Sequence, residues 1–438
     1  MAREKCLDAF LTEPPLPLVA LVGSRGQHNI ITSSFATSEE NQHVRYLSLD
    51  EDTQILDHAP SIADDNANVV LKRDWLHKHM HVAAAIAALW FTWEADGSRS
   101  ATILRQIETF RQRCRPSCKI VLVLVQRSGL TGNLPPLTAP AKEDERLGAL
   151  RKQADLDSRH VLTLVQVEAD GEAARFDEAS VKRVERSLLE LALIYYKDES
   201  RNNKKARQLA GKSAPPHLVA RHHFKRAYFS EVRRDAASAS KHWLACAIAL
   251  RDVLRLIVSP PTEKQRSSVR LHEVKRVAEF VNRKTTLGAF AGMRAAEACD
   301  TFRRHIRQFR PLAHAGACTL SAAALAAAGH VHWSWFCKQY RAFARLLESN
   351  AATGGASGGS SLAVVRFGTS GAHPQYAECG YYYQVAASCA LERRRCAVRL
   401  TAALDSGTAA PAASAVLSLP VNLDVDGDTP DVIAAELG

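Results

Sequence analysis

Over the first 170 residues, short apolar runs alternate with helical stripes. Leu16 to Val22 is apolar and stops at Gly23, which predicts a strand and a turn. Val82 to Trp93 is an uncharged stretch of 12 residues, Ala-rich at first and then carrying Leu89, Trp90, Phe91 and Trp93. Its aromatic end and the Asp96-Gly97 turn that follows predict a second strand. From Ser98, apolar residues recur at helical spacing as Ile103, Ile107 and Phe110. Ile120 to Val125 is a continuous apolar run, the pattern of a strand covered on both faces in a parallel sheet. A Pro/Gly-containing loop spans Ser128 to Pro140. A helix follows over Asp144 to Ala154, with Leu147 and Leu150 on one face, and then a strand over Val161 to Val167. Strand and helix in this alternation predict a three-layer α/β domain.

From Asp177 the apolar period changes to that of helices and keeps it. Val181, Val184, Leu188, Leu191 and Ile194 mark a long amphipathic helix. Pro215-Pro216 opens another, with Phe224, Tyr228, Phe229 and Val232. A polar turn at Asp235 leads to a helix carrying Trp243, Leu250 and Leu254, which Pro260-Pro261 ends. Further helices are expected over roughly Val269–Arg283, Gly288–Phe309, His332–Glu348 and Gln375–Val398. Helices paired through short turns predict an α-solenoid of the tetratricopeptide kind. Asn350 to Ser361 is Gly/Ser-rich and expected to be a flexible insertion. Residues 401–438 turn Ala/Ser/Pro-rich and then acidic, and a disordered tail is expected there.

Composition changes this picture only where charge is uneven. The chain of 438 residues has a formal net charge of +11, yet residues 201–310 alone hold 25 Lys/Arg against 8 Asp/Glu, a net of +17. Such a segment suits an acidic protein or an anionic membrane surface. It carries no nucleic-acid motif, and nucleic acid is not expected as a partner. No run approaches the roughly 20 apolar residues of a membrane-spanning helix, and no secretory leader is expected from Arg3, Glu4 and Lys5. The ten cysteines are scattered, and only Cys114 and Cys118 lie close. Reduced, mostly buried thiols in the cytoplasm are expected.

Local motifs for chemistry are weak. Gly23-Ser24-Arg25-Gly26 follows a strand but lacks the spacing and the Lys of a phosphate loop. His77, His79 and His81 alternate, and on a strand they would share a face, as metal-binding imidazoles must. No Cys or carboxylate is near enough in sequence to complete a ligand set, so a polar strand edge is expected instead. Asp424 to Asp428 resembles a calcium loop but places Thr429 and Ala435 where Gly and Glu are required. No catalytic residue, metal or cofactor is assigned.

An ordered series of motifs in the helical half is more specific. It runs from Tyr195-Tyr196-Lys197-Asp198-Glu199 through Arg221-His222-His223-Phe224-Lys225 and Phe229-Ser230-Glu231-Val232. It continues with Phe280-Val281-Asn282, Phe302-Arg303-Arg304-His305-Ile306 and Trp335-Phe336-Cys337-Lys338-Gln339-Tyr340, and ends on Gly380-Tyr381-Tyr382-Tyr383-Gln384. Leu18 to Gly23, Trp75 to His79, Lys119 to Gln126 and Glu145-Arg146 precede it in order. This series resembles the foie gras domain family of subunit 11 of the transport protein particle (TRAPP) complex, over about residues 14–400. The resemblance implies an α/β domain over 14–170 and an α-solenoid foie gras domain over 177–400, with the insertion at 350–361. It implies a scaffold without catalysis in a vesicle tether of endoplasmic reticulum-to-Golgi traffic and autophagy, whose small core subunits activate a Rab GTPase. Partners would be those core subunits and other TRAPP subunits, with a Rab reached indirectly and peripheral contact with Golgi and ER-Golgi membranes from the cytoplasm. Among the motif residues, the large apolar ones are expected to be core. Arg221, Lys225, Arg303, Arg304, Lys338 and Arg393 are the candidates for partner contacts. A second reading makes the chain a stand-alone adaptor that binds anionic membranes or acidic proteins through a basic solenoid face. Family members run on into a β-rich region, whose functions are not carried over.

Overall fold

A computed structural model describes residues 10–11, 15–23, 43–49, 70–71, 75–93, 100–113, 117–128, 140–167, 175–211, 214–258, 268–292, 294–309, 322–354 and 378–405. The chain divides into two compact units. The first comprises 1–212 and 225–239, the second 213–224 and 240–438.

The first unit is built on a sheet of six strands: β1 (Leu18–Val22), β2 (Arg45–Leu49), β3 (Ile86–Thr92), β4 (Lys119–Ser128), β5 (Val161–Val167) and β6 (Arg175–Phe176). Their order is β2-β1-β3-β4-β5-β6. The first five are parallel, and β6 pairs antiparallel with β5. Val121 to Val125 are buried without interruption, because a parallel sheet is covered on both sides. On one face, Leu18, Ala20, Leu89, Leu122 and Leu124 pack against Ile103, Ile107 and Phe110 of α1 (Ser100–Arg113) and Leu150 of α2 (Pro140–Gln153). A third helix, α3 (Glu178–Leu209), runs against β1, β3 and β5. Leu18 N donates to the Tyr196 hydroxyl at 3.4 Å and Val165 N to Ser180 Oγ at 3.2 Å. Lys119 Nζ lies 3.7 Å from an Asp198 carboxylate oxygen. These contacts bring a helix of the predicted 3.6-residue period onto the sheet and complete the α/β architecture.

Asp177 caps α3. Its carboxylate accepts from Ser180 N at 2.8 Å, which satisfies one of the amides that a helix start leaves open. Asp177→Ala is expected to destabilise the protein by about 1 kcal/mol, measured as a lower urea midpoint, while Asp177→Asn retains most of the cap.

The alternating histidines depart from the strand expectation. Trp75–His77 is helical and continues into a π-helical turn, Lys78–Val82. The strand begins only at Ile86. Residues two apart on a helix point to opposite sides, so the three imidazoles do not share a face. The His77 and His81 rings lie 5.1 Å apart, tilted by 42°, while His79 is buried against Trp75 at 4.5 Å. The second half of a later helix, α4 (Pro216–Val232), covers Trp75 and His79 with Tyr228 and Phe229, the Tyr228 hydroxyl donates to His79 O at 3.1 Å, and His77 stays exposed.

The second unit is helical and forms the solenoid part of the fold. It contains the first half of α4, nearly all of α5 (Ala236–Val258), α6 (Ser268–Ala291), α7 (Ala295–Phe309), α8 (Ala322–Gly354) and α9 (Cys379–Asp405). Pro216 stands where a helix tolerates proline, in its first turn. Asp235 caps α5 by accepting from Ser238 N at 3.0 Å. Phe224, Trp243 and Phe280 knit α4, α5 and α6, with ring centroids 5.0–5.6 Å apart. Phe290, Phe302, Phe336, Phe343 and Tyr382 form the core of α6 to α9. Two helices run further than expected. α8 reaches Gly354, so the first five residues of the Gly/Ser-rich stretch are helical, and α9 reaches Asp405. Residues 355–361 and 406–438 lie outside the described residues, as do the Gly-rich turn beyond Gly23 and the Asp424–Asp428 segment.

Candidate partner interface

The six cationic candidates stand on four helices, Lys225 in the first unit and the other five in the second. Arg221, on α4 in the second unit, is half-buried. Burial pulls its guanidinium below the usual range, and the charge of Glu273 on α6 opposes that shift. Lys225, one turn on, belongs to the first unit and holds its ammonium 5.4 Å from the centre of the Trp75 ring. A cation over an indole face is a favourable contact, so this lysine closes over the Trp75–His79 cluster.

On α7, Arg303 lies 3.9 Å from an Asp300 carboxylate oxygen. Arg304 is exposed and bends back on its own helix, with Nε donating to Asp300 O at 3.3 Å. Lys338, on α8, turns inward. Its Nζ lies 3.9 Å from Glu279 of α6, which Arg276 approaches at 3.8 Å from the preceding turn. Arg393, on α9, donates from Nε to His330 Nε2 on α8 at 3.2 Å, which fixes that imidazole nitrogen as an acceptor. Lys225, Lys338 and Arg393 therefore hold intramolecular contacts, and Arg304 is the one of the six classed as exposed.

Lys338 is part of a polar layer inside the α6–α7–α8 packing. Lys275 sits 5.6 Å from the Trp335 ring centre, and burial pulls its ammonium down to about 8. The His305 ring lies 5.5 Å from that of Trp335, tilted by 51°. Burial pulls its imidazole down to about 3, opposed by a hydrogen bond with Gln339. His305 is thus neutral in the folded protein throughout the physiological range. Its folded value lies below that of the unfolded chain, so the unfolded chain binds more protons below about pH 6.5. Stability is present above that value and is lost as pH falls toward 3. Between pH 7 and pH 5 the expected loss is about 2 kcal/mol, and His305→Asn should flatten that part of the profile in urea titrations.

Among the described residues, no three His, Cys, Asp or Glu side chains converge as a metal site. No described helix is long and apolar enough to cross a membrane. Cys118 is half-buried, and Cys246, Cys299, Cys389 and Cys396 are buried free thiols. Burial pushes each of these four up, away from the thiolate form that reacts.

What the periodicity of α9 could have signalled, and the motif series passed over, is an outward stripe. Leu391, Arg394, Arg395, Val398 and Arg399 are all exposed.

A mostly parallel sheet packed with helices in one unit and a run of packed helices in the other define an α/β-plus-solenoid class of protein. Comparison with known proteins narrows the class. Residues 270–423, which take in α7 to α9 and all but the first two residues of α6, match the family described as "Foie gras liver health family 1". Proteins named "Trafficking protein particle complex subunit 11" from Gallus gallus, Bos taurus and Homo sapiens are each 26% identical over 343 residues. That similarity covers 76% of this chain and 25% of each relative. The resemblance read from the ordered motifs is therefore borne out, and the chain spans about a quarter of the length of these relatives.

Proposed function

We propose that this protein is a non-catalytic scaffold subunit of a TRAPP-type tethering complex. In this reading it serves vesicle traffic between endoplasmic reticulum and Golgi, as well as autophagy, and supports Rab activation carried out by the core of the complex. Its partners are the small TRAPP core subunits and other TRAPP subunits. It works from the cytoplasm, peripherally on Golgi and ER-Golgi membranes. An α/β domain over 14–170 and a foie gras solenoid over 177–400 are the proposed functional divisions.

The observation that carries the reading is the similarity over 76% of the chain to proteins named as TRAPP subunit 11. The family match falls on the helices of the second unit, from α6 to α9. The physical mechanism is contact: packed helices hold a rigid face, and partners dock along it. Tagging the protein at its N-terminus in its own cells and purifying at moderate salt tests this. Near-stoichiometric recovery of TRAPP core subunits is the expected result. Recovery of none, with the protein intact, would sink it. A second reading draws on the net +17 of residues 201–310: a stand-alone adaptor for acidic proteins or anionic membranes. It predicts liposome binding that falls steeply with salt, since exposed charges are screened.

A further inference from the structure

Helix α9 presents two unlike faces. Tyr382, Ala386, Cys389, Cys396, Ala397 and Leu400 are buried, and α9 packs along α8. At Gly329 of α8 the approach is so close that a Cβ would meet Cys396 Sγ at 2.9 Å. The opposite side carries Ala387, Leu391, Arg394, Val398 and Ala402 at spacings of four, three, four and four, which is one helical stripe. All five are exposed, Leu391 by 61% and Val398 by 50%. Arg395 and Arg399 stand beside them, also exposed. Arg395 is paired with Glu392 of its own helix, while no carboxylate among the described residues pairs with Arg394 or Arg399.

We propose that this face docks an amphipathic helix of a protein partner, one whose apolar ridge is flanked by Asp and Glu. The proposal rests on the scaffold reading above and names a surface for it. Three features point to a protein helix. Guanidinium groups beside an apolar ridge match carboxylates bidentately, the pairing for which arginine is favoured at interfaces. The alanines at either end of the stripe leave no bulk in the way of a second helix. The 27 residues of α9 span about 40 Å, enough for several turns of helix-to-helix contact. A lipid surface fits less well. An interfacial helix needs a continuous apolar face, and here an arginine interrupts the ridge between two large side chains.

The test uses the full chain, tagged, with a photo-reactive benzoylphenylalanine at position 391 or, separately, at 398. Thermal unfolding of both variants establishes that they fold, and the second position serves if the first does not. The peptides captured in cells are sequenced by mass spectrometry. The expected capture is one peptide of another protein with apolar residues at i, i+3 or i+4 and carboxylates beside them. Arg394→Glu with Arg395→Glu should lower its yield by about tenfold or more, and reversing the carboxylates of the captured peptide should restore it. Capture of lipid only, of this chain only, or of a peptide whose yield ignores the charge reversal would overturn the proposal. Recovery of TRAPP subunits is read in the same sample. Normal recovery without capture at either position overturns the docking face and leaves the scaffold reading standing. Capture of an acidic helix from a protein outside TRAPP, without TRAPP recovery, upholds the face and sinks that reading.

Discussion

Phe343→Ala is expected to destabilise the protein by about 3–5 kcal/mol. The ring is 2% exposed and reaches from α8 to three other helices. It stacks on Phe302 of α7 at 4.1 Å with the planes 5° apart, meets Tyr382 of α9 at 4.7 Å edge-on, and faces Phe290 of α6 at 6.3 Å. Truncation removes the transfer free energy of the ring and leaves a space that rigid helices cannot close, so both penalties apply. Urea unfolding followed by far-ultraviolet circular dichroism measures it. Phe343→Leu, which keeps most of the volume, should cost much less. A loss below about 1 kcal/mol for the alanine variant would mean that the core repacks freely, against the close fit described.

The second large effect is expected at Glu279. Its side chain is 8% exposed and lies between Arg276 and Lys338. Removing one member of a buried ionic group leaves the others without compensation, which costs about 3 kcal/mol or more. Glu279→Ala should therefore destabilise strongly, whereas Lys338→Met, which keeps the aliphatic stem and takes away the more exposed charge, should cost about 1 kcal/mol. A double-mutant cycle of the two isolates their coupling. If Lys338→Met abolished recovery of partners and left stability untouched, the inward role assigned to Lys338 would be wrong and its candidacy as a contact residue restored.

Much of the fold was readable because its signals are local. The run Ile120–Val125 announces a doubly covered strand by composition alone, and Ile103, Ile107 and Phe110 announce the helix beside it. The histidine segment failed for a physical reason. Alternation of three residues is a weak period, and the burial of Trp75 and His79 beneath Tyr228 and Phe229 is a long-range contact that overrides it. Helix ends at Gly354 and Asp405 were missed because Ala-rich sequence continues a helix as readily as it forms a linker.

The interface candidates show the same limit more sharply. Glu279 draws in Lys338 from 59 positions away and His330 draws in Arg393 from 63, pairings that no local pattern records. Within α9 the motif pointed to Arg393, while the helical period places its neighbour Arg394 outward. That period was legible, and reading it against burial separates the two arginines.

The interleaving of the two units along the chain sets an order of events during synthesis. The sheet unit is not finished when Lys212 leaves the ribosome, since it still lacks 225–239. Until Tyr228 and Phe229 arrive, Trp75 and His79 have no aromatic cover from α4. At about 5–20 residues per second this interval lasts a few seconds, long enough for a nascent chain to need shielding. A fragment ending at Lys212 would keep that surface open indefinitely and is expected to be sticky, whereas one ending just after Ala239 closes it.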